Sequence, residues 1–284
     1  MKNNSIQFVF FGTPELSVTV LEELKKEGFM PRIVVTAPDT PHGRGMKLAP
    51  PPVKVWALKN SVAVLQPRKI TEEVIAELAQ EQWDVFIVAA YGKILPQTLL
   101  DIPMHGTLNV HPSLLPRLRG PSPIRSAILL DEKVTGVSIM LLDAEMDHGP
   151  ILAQEVVEVV WPPRAPELEK RLAKKGGEML AKILPQWVAG EIAPQEQEHE
   201  KATFCRMLKK GDAEINLSDD PYQNLLKIRG YEKAPGAYFF TEKNGKKIRV
   251  KVVSAERDES GSLKLLRVIP EGKKETHWEN FNKN

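Results

Sequence analysis

Short apolar runs alternate with stretches of helical period along most of the chain. Residues 6–11 form a continuous apolar run that ends in Gly12-Thr13-Pro14, and Pro14 suits the first turn of a helix over 15–26. A second strand over 31–36 then predicts a right-handed crossover and a parallel sheet. The alternation continues with a strand at 62–65, a helix at 71–80 opened by Thr71, Glu72 and Glu73, and a buried strand at 85–90. Further strands are predicted at 107–110 and 136–142, where Val137, Ile139 and Leu141 alternate, with a helix at 123–130 between them. Residues 151–160 have the alternation of an edge strand or hairpin, and 167–188 have a helical period that closes a first domain. The polar stretch 190–201 reads as a linker. Beyond it, strands at 238–240, 247–253 and 263–269 are separated by the turn signals Asn244-Gly245 and Ser260-Gly261. The expected architecture is α/β, a doubly wound, mostly parallel Rossmann-like sheet followed by a smaller β-rich domain. Its expected divisions are 1–189, a linker at 190–203, and 204–284.

Composition narrows the class without changing this picture. At 284 residues, 42% hydrophobic and 27% charged, the chain resembles an ordinary globular protein with room for two cores. No apolar run approaches the roughly 20 residues that span a bilayer, and Met1-Lys2-Asn3-Asn4 leads directly into the first strand, so a cytoplasmic protein without membrane attachment is expected. The single cysteine, Cys205, cannot form an internal disulfide, and no Cys/His cluster has zinc spacing, so no metal is expected. Charge is uneven. Residues 201–284 carry 18 Lys and Arg against 12 Asp and Glu, whereas the part before them is net acidic. Such asymmetry fits a basic module that holds a polyanion, and equally a well-solvated lysine-rich surface.

The densest candidate chemistry lies at Asn109-Val110-His111, where an amide and an imidazole two residues apart share one face of a strand. Pro112, Pro116 and Gly120 then force the chain out of the sheet as a shaped loop. An acid-rich turn at 142–149 and a small-residue turn at 89–96 also follow strands, where open α/β sheets bind ligands. Each segment alone also fits an ordinary turn. An Asn, a His and an Asp, without a Ser or Cys nucleophile motif, suit direct acyl transfer from a carrier to an amine. The amide donates to the oxyanion of a tetrahedral intermediate, the imidazole takes the amine's proton, and the carboxylate orients the imidazole. His148 rivals His111 for the proton role but lies in the acidic turn, and His42, His105, His199 and His277 are assigned structural or surface places.

Several segments carry a family resemblance: 11–14, 38–48, 90–96, 109–120, 143–149 and 235–238. Through them the chain resembles the methionyl-tRNA formyltransferases of the folate-dependent formyltransferase superfamily. The resemblance implies that Asn109, His111 and Asp147 are the catalytic trio. It implies that 10-formyltetrahydrofolate lies along Ser113, Leu114, Leu115 and Pro116 and the loop at Ile94 and Leu95. It implies that Arg44 and Lys47 meet the acceptor stem of an initiator methionyl-tRNA, and that Arg206, Lys209 and Lys210 contact phosphates in an OB-like tRNA-binding domain. A monomer is expected. Met207 stands where the family usually has Lys, and the second half of the module is shorter than the family's. The alternatives are an N-formyltransferase for an amino-sugar nucleotide, a 10-formyltetrahydrofolate hydrolase, and a nucleic-acid-binding module without catalysis.

Overall fold

The computed structural model describes residues 6–42, 46–243 and 245–283. Its elements in chain order begin with β1 (Phe8–Gly12), α1 (Glu15–Lys26), β2 (Ile33–Val35), β3 (Thr40–His42), β4 (Lys47–Ala49), α2 (Pro52–Lys59) and β5 (Ala63–Leu65). There follow α3 (Glu72–Leu78), β6 (Val85–Ala89), α4 (Gln97–Leu100), β7 (Thr107–His111), α5 (Pro123–Leu129), β8 (Thr135–Leu141), β9 (Ile151–Val157) and α6 (Ala165–Val188). The chain closes with α7 (Pro221–Gly230), β10 (Tyr238–Lys243), β11 (Lys246–Arg257), β12 (Leu263–Pro270), β13 (Thr276–His277) and α8 (Trp278–Lys283).

The chain divides into two compact units. One comprises 1–121, 135–157 and 169–204, and the other comprises 122–134, 158–168 and 205–284. In the first, a seven-stranded sheet runs in the order β5-β2-β1-β6-β7-β8-β9. Pairing is parallel from β5 through β7, then antiparallel for β8 and β9. Interior parallel strands are covered on both faces, which explains the unbroken apolar run of β1: Phe8, Val9, Phe10 and Phe11 are all fully buried. Val9 and Phe11 pack into a cluster with Trp83, Phe86, Val88 and Leu99. The carboxyl ends of β1 and β6 are tied by one hydroxyl, since Ser17 Oγ accepts from Thr13 N (3.1 Å) and donates to Ala89 O (2.6 Å). Gly12 has room for no side chain there, because an added Cβ would lie 2.7 Å from Ser17 Cβ.

The strand carrying the Asn and His is fixed from its other face. A Cβ on Gly176 would sit 2.5 Å from Val110 Cγ1, so this glycine lets α6 lie directly against the residue between Asn109 and His111. Val110 therefore faces the helix while its two neighbours face away from it.

The second unit holds a four-stranded antiparallel sheet in the order β10-β11-β12-β13. Its core includes Ile215, Ile228, Tyr231, Phe239, Val250, Val252, Val268 and Phe281. Helix α7 is capped as its sequence dictates: Asp220 accepts from Gln223 N at 2.8 Å and Pro221 occupies the first turn.

Several boundaries differ from expectation. The stretch 38–48, expected as a loop, contains the small antiparallel pair β3-β4. Strands β10 and β11 are longer than expected, and α2, α4, α7, α8 and strand β13 are additional elements. Thr71 precedes α3 but makes no side-chain bond to the helix backbone; its hydroxyl engages Glu73 instead. The turn residue Asn244 lies outside the described residues. Among the described residues no helix is long and apolar enough to cross a membrane.

Candidate active site

The site is built on β7. Strand geometry turns Asn109 and His111 to one face, and β7 lies between β6 and β8 at the centre of the sheet's second half. His111 is buried, 4% exposed, and its Nε2 lies 3.0 Å from Leu118 O. A carbonyl oxygen only accepts, so in this arrangement Nε2 carries the N–H. The other ring nitrogen, Nδ1, faces Asp147 Oδ1 at 3.5 Å. A proton arriving at Nδ1 is therefore met by a carboxylate, and the imidazolium is held between Asp147 and Leu118 O.

Asp147 reaches this position from the turn after β8. Its Oδ1 accepts from Asn109 Nδ2 at 3.4 Å and its Oδ2 from Gly120 N at 2.7 Å. Its backbone is left-handed, with φ +49°, a conformation that costs a non-glycine residue on the order of 1 kcal/mol and that Asp tolerates better than most. Gly149 follows where nothing larger fits: its added Cβ would lie 2.2 Å from Leu141 O. The structure thus brings Asn109, His111 and Asp147 together, with one amide hydrogen of Asn109 left to point elsewhere. His148 stands apart from the trio, its Nδ1 2.8 Å from Asp143 Oδ2 and its ring stacked on His199 at 4.1 Å.

The loop after β7 holds its shape through bonds to β8 and β9. Leu115 N donates to Ser138 Oγ (3.1 Å), Ser138 Oγ donates to Ser113 O (2.7 Å), and Gln154 Nε2 donates to Leu115 O (2.9 Å). Ser113 and Leu115 are buried, and the Ser113 hydroxyl donates to Arg117 O at 2.6 Å. Leu114 leans toward Gly136 on β8. Pro116 is partly exposed. On the neighbouring turn after β6, Leu95 is buried while Ile94 is 90% exposed. An apolar side chain so exposed beside a strand end offers a surface for a flat, partly apolar ligand. The inward-turned residues of the 113–116 loop offer shape and backbone more than side chains. Tyr91, from the same turn, belongs to the core: it packs edge-on against Phe11, and burial pushes its hydroxyl up to about 12. Among the described residues no group of three or more His, Cys, Asp or Glu side chains is placed to hold a metal ion.

Two site residues escaped the sequence reading. Arg119 and Gln197 are 4% and 5% exposed. Gln197 lies in the polar stretch expected as a linker, and its burial among distant partners left no local signal. Arg119 sits in the 109–120 segment, where no role was assigned to it.

The basic candidates fall in separate places. Arg44 lies outside the described residues, and Lys47 is exposed on β4. In the second unit, Arg206 Nη1 lies 2.7 Å from Asp212 Oδ2, which also accepts from Lys209 N at 2.7 Å. These bonds, Arg206 first, hold the Asp212 carboxyl down at about 2. Because the folded value lies below the ordinary one of 3.8, the stabilisation is present above pH 3.8 and is lost as pH falls through about 2. Carboxyl NMR titration is expected to show Asp212 ionised at pH 3, and Arg206→Gln to move its midpoint upward; an unmoved midpoint counts against the pair.

Comparison with known proteins extends this geometry. The model of the formyl transferase family matches residues 5–184. A methionyl-tRNA formyltransferase of Chloroflexus aurantiacus is 45% identical over 236 residues, 83% of this chain and 76% of that protein. One from Acetivibrio thermocellus is 41% identical over 269 residues, 94% of this chain and 86% of that protein, so the relative is longer than the part it shares. Among solved structures, a sugar N-formyltransferase from a Shewanella species superposes with a TM-score of 0.65 at 18% identity, over 90% of this chain and 100% of that one. That likeness shows the fold alone.

Proposed function

The chain belongs to the formyl transferase family, and from that premise we propose that it transfers the formyl group of 10-formyltetrahydrofolate to the α-amine of initiator methionyl-tRNA. The observation that carries the choice of acceptor is the extent of the likeness to methionyl-tRNA formyltransferases, which at 41% identity covers 94% of the chain and so runs well into the basic unit. The superfamily fold alone does not discriminate acceptors, since sugar formyltransferases share it.

The folate supplies the formyl carbon, and the chain's own groups supply the rest. An α-amine has a pKa of about 7.7 to 8.0 in model compounds and must shed a proton before or during attack. His111 takes it at Nδ1, the nitrogen left without hydrogen by the bond from Nε2 to Leu118 O, and returns it to the carrier nitrogen as that nitrogen's bond to the formyl carbon breaks and tetrahydrofolate leaves. Asp147 at 3.5 Å stabilises the resulting cation and keeps the ring oriented. Asn109 shares one amide hydrogen with Asp147 and directs the other toward the charge that develops on the formyl oxygen. Buried Leu95 and exposed Ile94 form an apolar ledge for the folate rings.

Arg44 and Lys47 meet the acceptor stem, and the second unit holds the tRNA backbone through Arg206, Lys209 and Lys210. The protein works as a cytoplasmic monomer. Because Arg206 already has an anionic partner in Asp212, a phosphate must compete for it. Lys210→Ala is therefore expected to reduce the salt dependence of tRNA binding by about one unit of slope, and Arg206→Ala by less. Binding isotherms across a salt series check this; equal losses would reject the ordering.

The decisive assay follows formyl transfer from 10-formyltetrahydrofolate to charged initiator methionyl-tRNA, beside amino-sugar nucleotides and an acceptor-free control. Transfer to the tRNA alone is expected. Transfer to a sugar nucleotide, or formate release without acceptor, overturns the substrate while keeping the active site.

A further inference from the structure

Asp147 is held at both ends by a closed circuit of hydrogen bonds. Its carboxylate accepts from Gly120 N at 2.7 Å. The residue before that glycine, Arg119, donates from Nε (3.1 Å) and Nη2 (2.7 Å) to Gln197 Oε1. Gln197 completes the circuit, donating from Nε2 to Asp147 O at 3.0 Å and to Gly149 O at 2.7 Å. The Gln197 amide thus uses both its hydrogens on the turn that carries Asp147 and its oxygen on the loop that carries Gly120. Arg119 Nη2 also donates to His199 Nδ1 at 2.9 Å, and backbone bonds anchor the far side: Arg119 N to Thr203 O (2.8 Å) and Thr203 N to Pro116 O (3.2 Å).

We infer that Gln197, held by Arg119, is a positioning residue for the formyl-transfer reaction, clamping Asp147 in its left-handed backbone so that the carboxylate meets Asn109, His111 and Gly120 together. The inference rests on the proposed activity. Three features support it. Both side chains are at least nine-tenths buried, where polar groups without partners are costly, so each bond is there by geometry rather than by chance of solvent. The circuit spans segments distant in sequence that hold the residues flanking the reaction centre. Finally, Asp147 has φ +49°, a conformation that persists only when its surroundings hold it.

Two variants separate positioning from folding. Gln197→Leu removes the whole clamp. Gln197→Glu keeps the acceptor for Arg119, and indeed strengthens that pair, but places carboxylate oxygen against the carbonyls of Asp147 and Gly149, releasing the turn while sparing the fold. For Gln197→Glu, kcat is expected to fall about 100-fold, the cost of a misplacement on the order of 1 Å, with KM for folate and tRNA changed less than about twofold. In substrate-free protein the imidazole NMR resonances of His111 move and those of His105 do not. Unchanged kcat with unmoved His111 resonances overturns the clamp. So does a joint change in KM and kcat that tracks a lowered melting temperature and general spectral change, since that describes a merely structural residue. An inactive wild-type protein refutes the proposed activity instead, and the His111 resonances then decide the clamp by themselves.

Discussion

Asp147→Asn is expected to lower the single-turnover rate of formyl transfer by roughly 1,000-fold, within the range that positioned proton transfer contributes. The substitution is nearly isosteric, so the loss comes from chemistry. With its oxygen retained for Gly120 N, the new amide turns its NH₂ toward His111 Nδ1 and Asn109 Nδ2. It then donates to the lone pair that must take the amine's proton, and it opposes one donor with another. Rapid-quench measurement at saturating folate checks the rate, and equilibrium binding checks that folate affinity holds within about threefold. A variant that retains a tenth of the wild-type rate removes Asp147 from the mechanism.

Gly136→Ala is expected to be the most disruptive small change to the fold. On β8, between β7 and β9, an added Cβ would stand 2.1 Å from Glu155 O and 2.6 Å from Leu114 Cδ2. The side chain can give way, but the backbone oxygen belongs to the β8-β9 ladder and cannot move without breaking it. A loss of about 3 kcal/mol follows, or a melting point lower by about 6 to 12 °C. Gly211→Ala is the control, since nothing lies within 4 Å of its added Cβ. Equal melting points for the two variants would show that β9 yields more readily than its ladder suggests.

What the sequence disclosed follows from the range of the forces involved. The alternation of apolar runs and helical periods is local, so β1, α1, β6 and β8 were legible within a residue or two. The pair Asn109 and His111 was legible because strand periodicity alone puts them on one face. Asp147 was reached only through family resemblance, since its approach depends on the β7-β8 pairing and on the turn that follows. Gln197 was hidden for the same reason in stronger form: among Glu, Gln and His neighbours its composition says solvent, and only bonds to residues 48 to 78 positions away make it buried. The pair β3-β4 was missed because three-residue, largely exposed strands, one with a proline, leave almost no apolar period. Helix α7 was overlooked although Asp219-Asp220-Pro221 carries a helix-start signature.

The lacing of residues 195–204 onto β9 and the loop after β7 also decides where this polypeptide can be severed. Gly190 sits in a left-handed turn with open space around it, an inviting place for a protease. A break there yields an amino-terminal fragment that contains Asn109, His111 and Asp147 but has surrendered Gln195, which bridges Ile151, and Gln197 to the other piece. A break beyond Phe204 leaves those struts in place. Limited digestion can therefore generate two amino-terminal fragments, one ending near residue 190 and the other beyond residue 204, of which only the longer keeps its reacting groups in register.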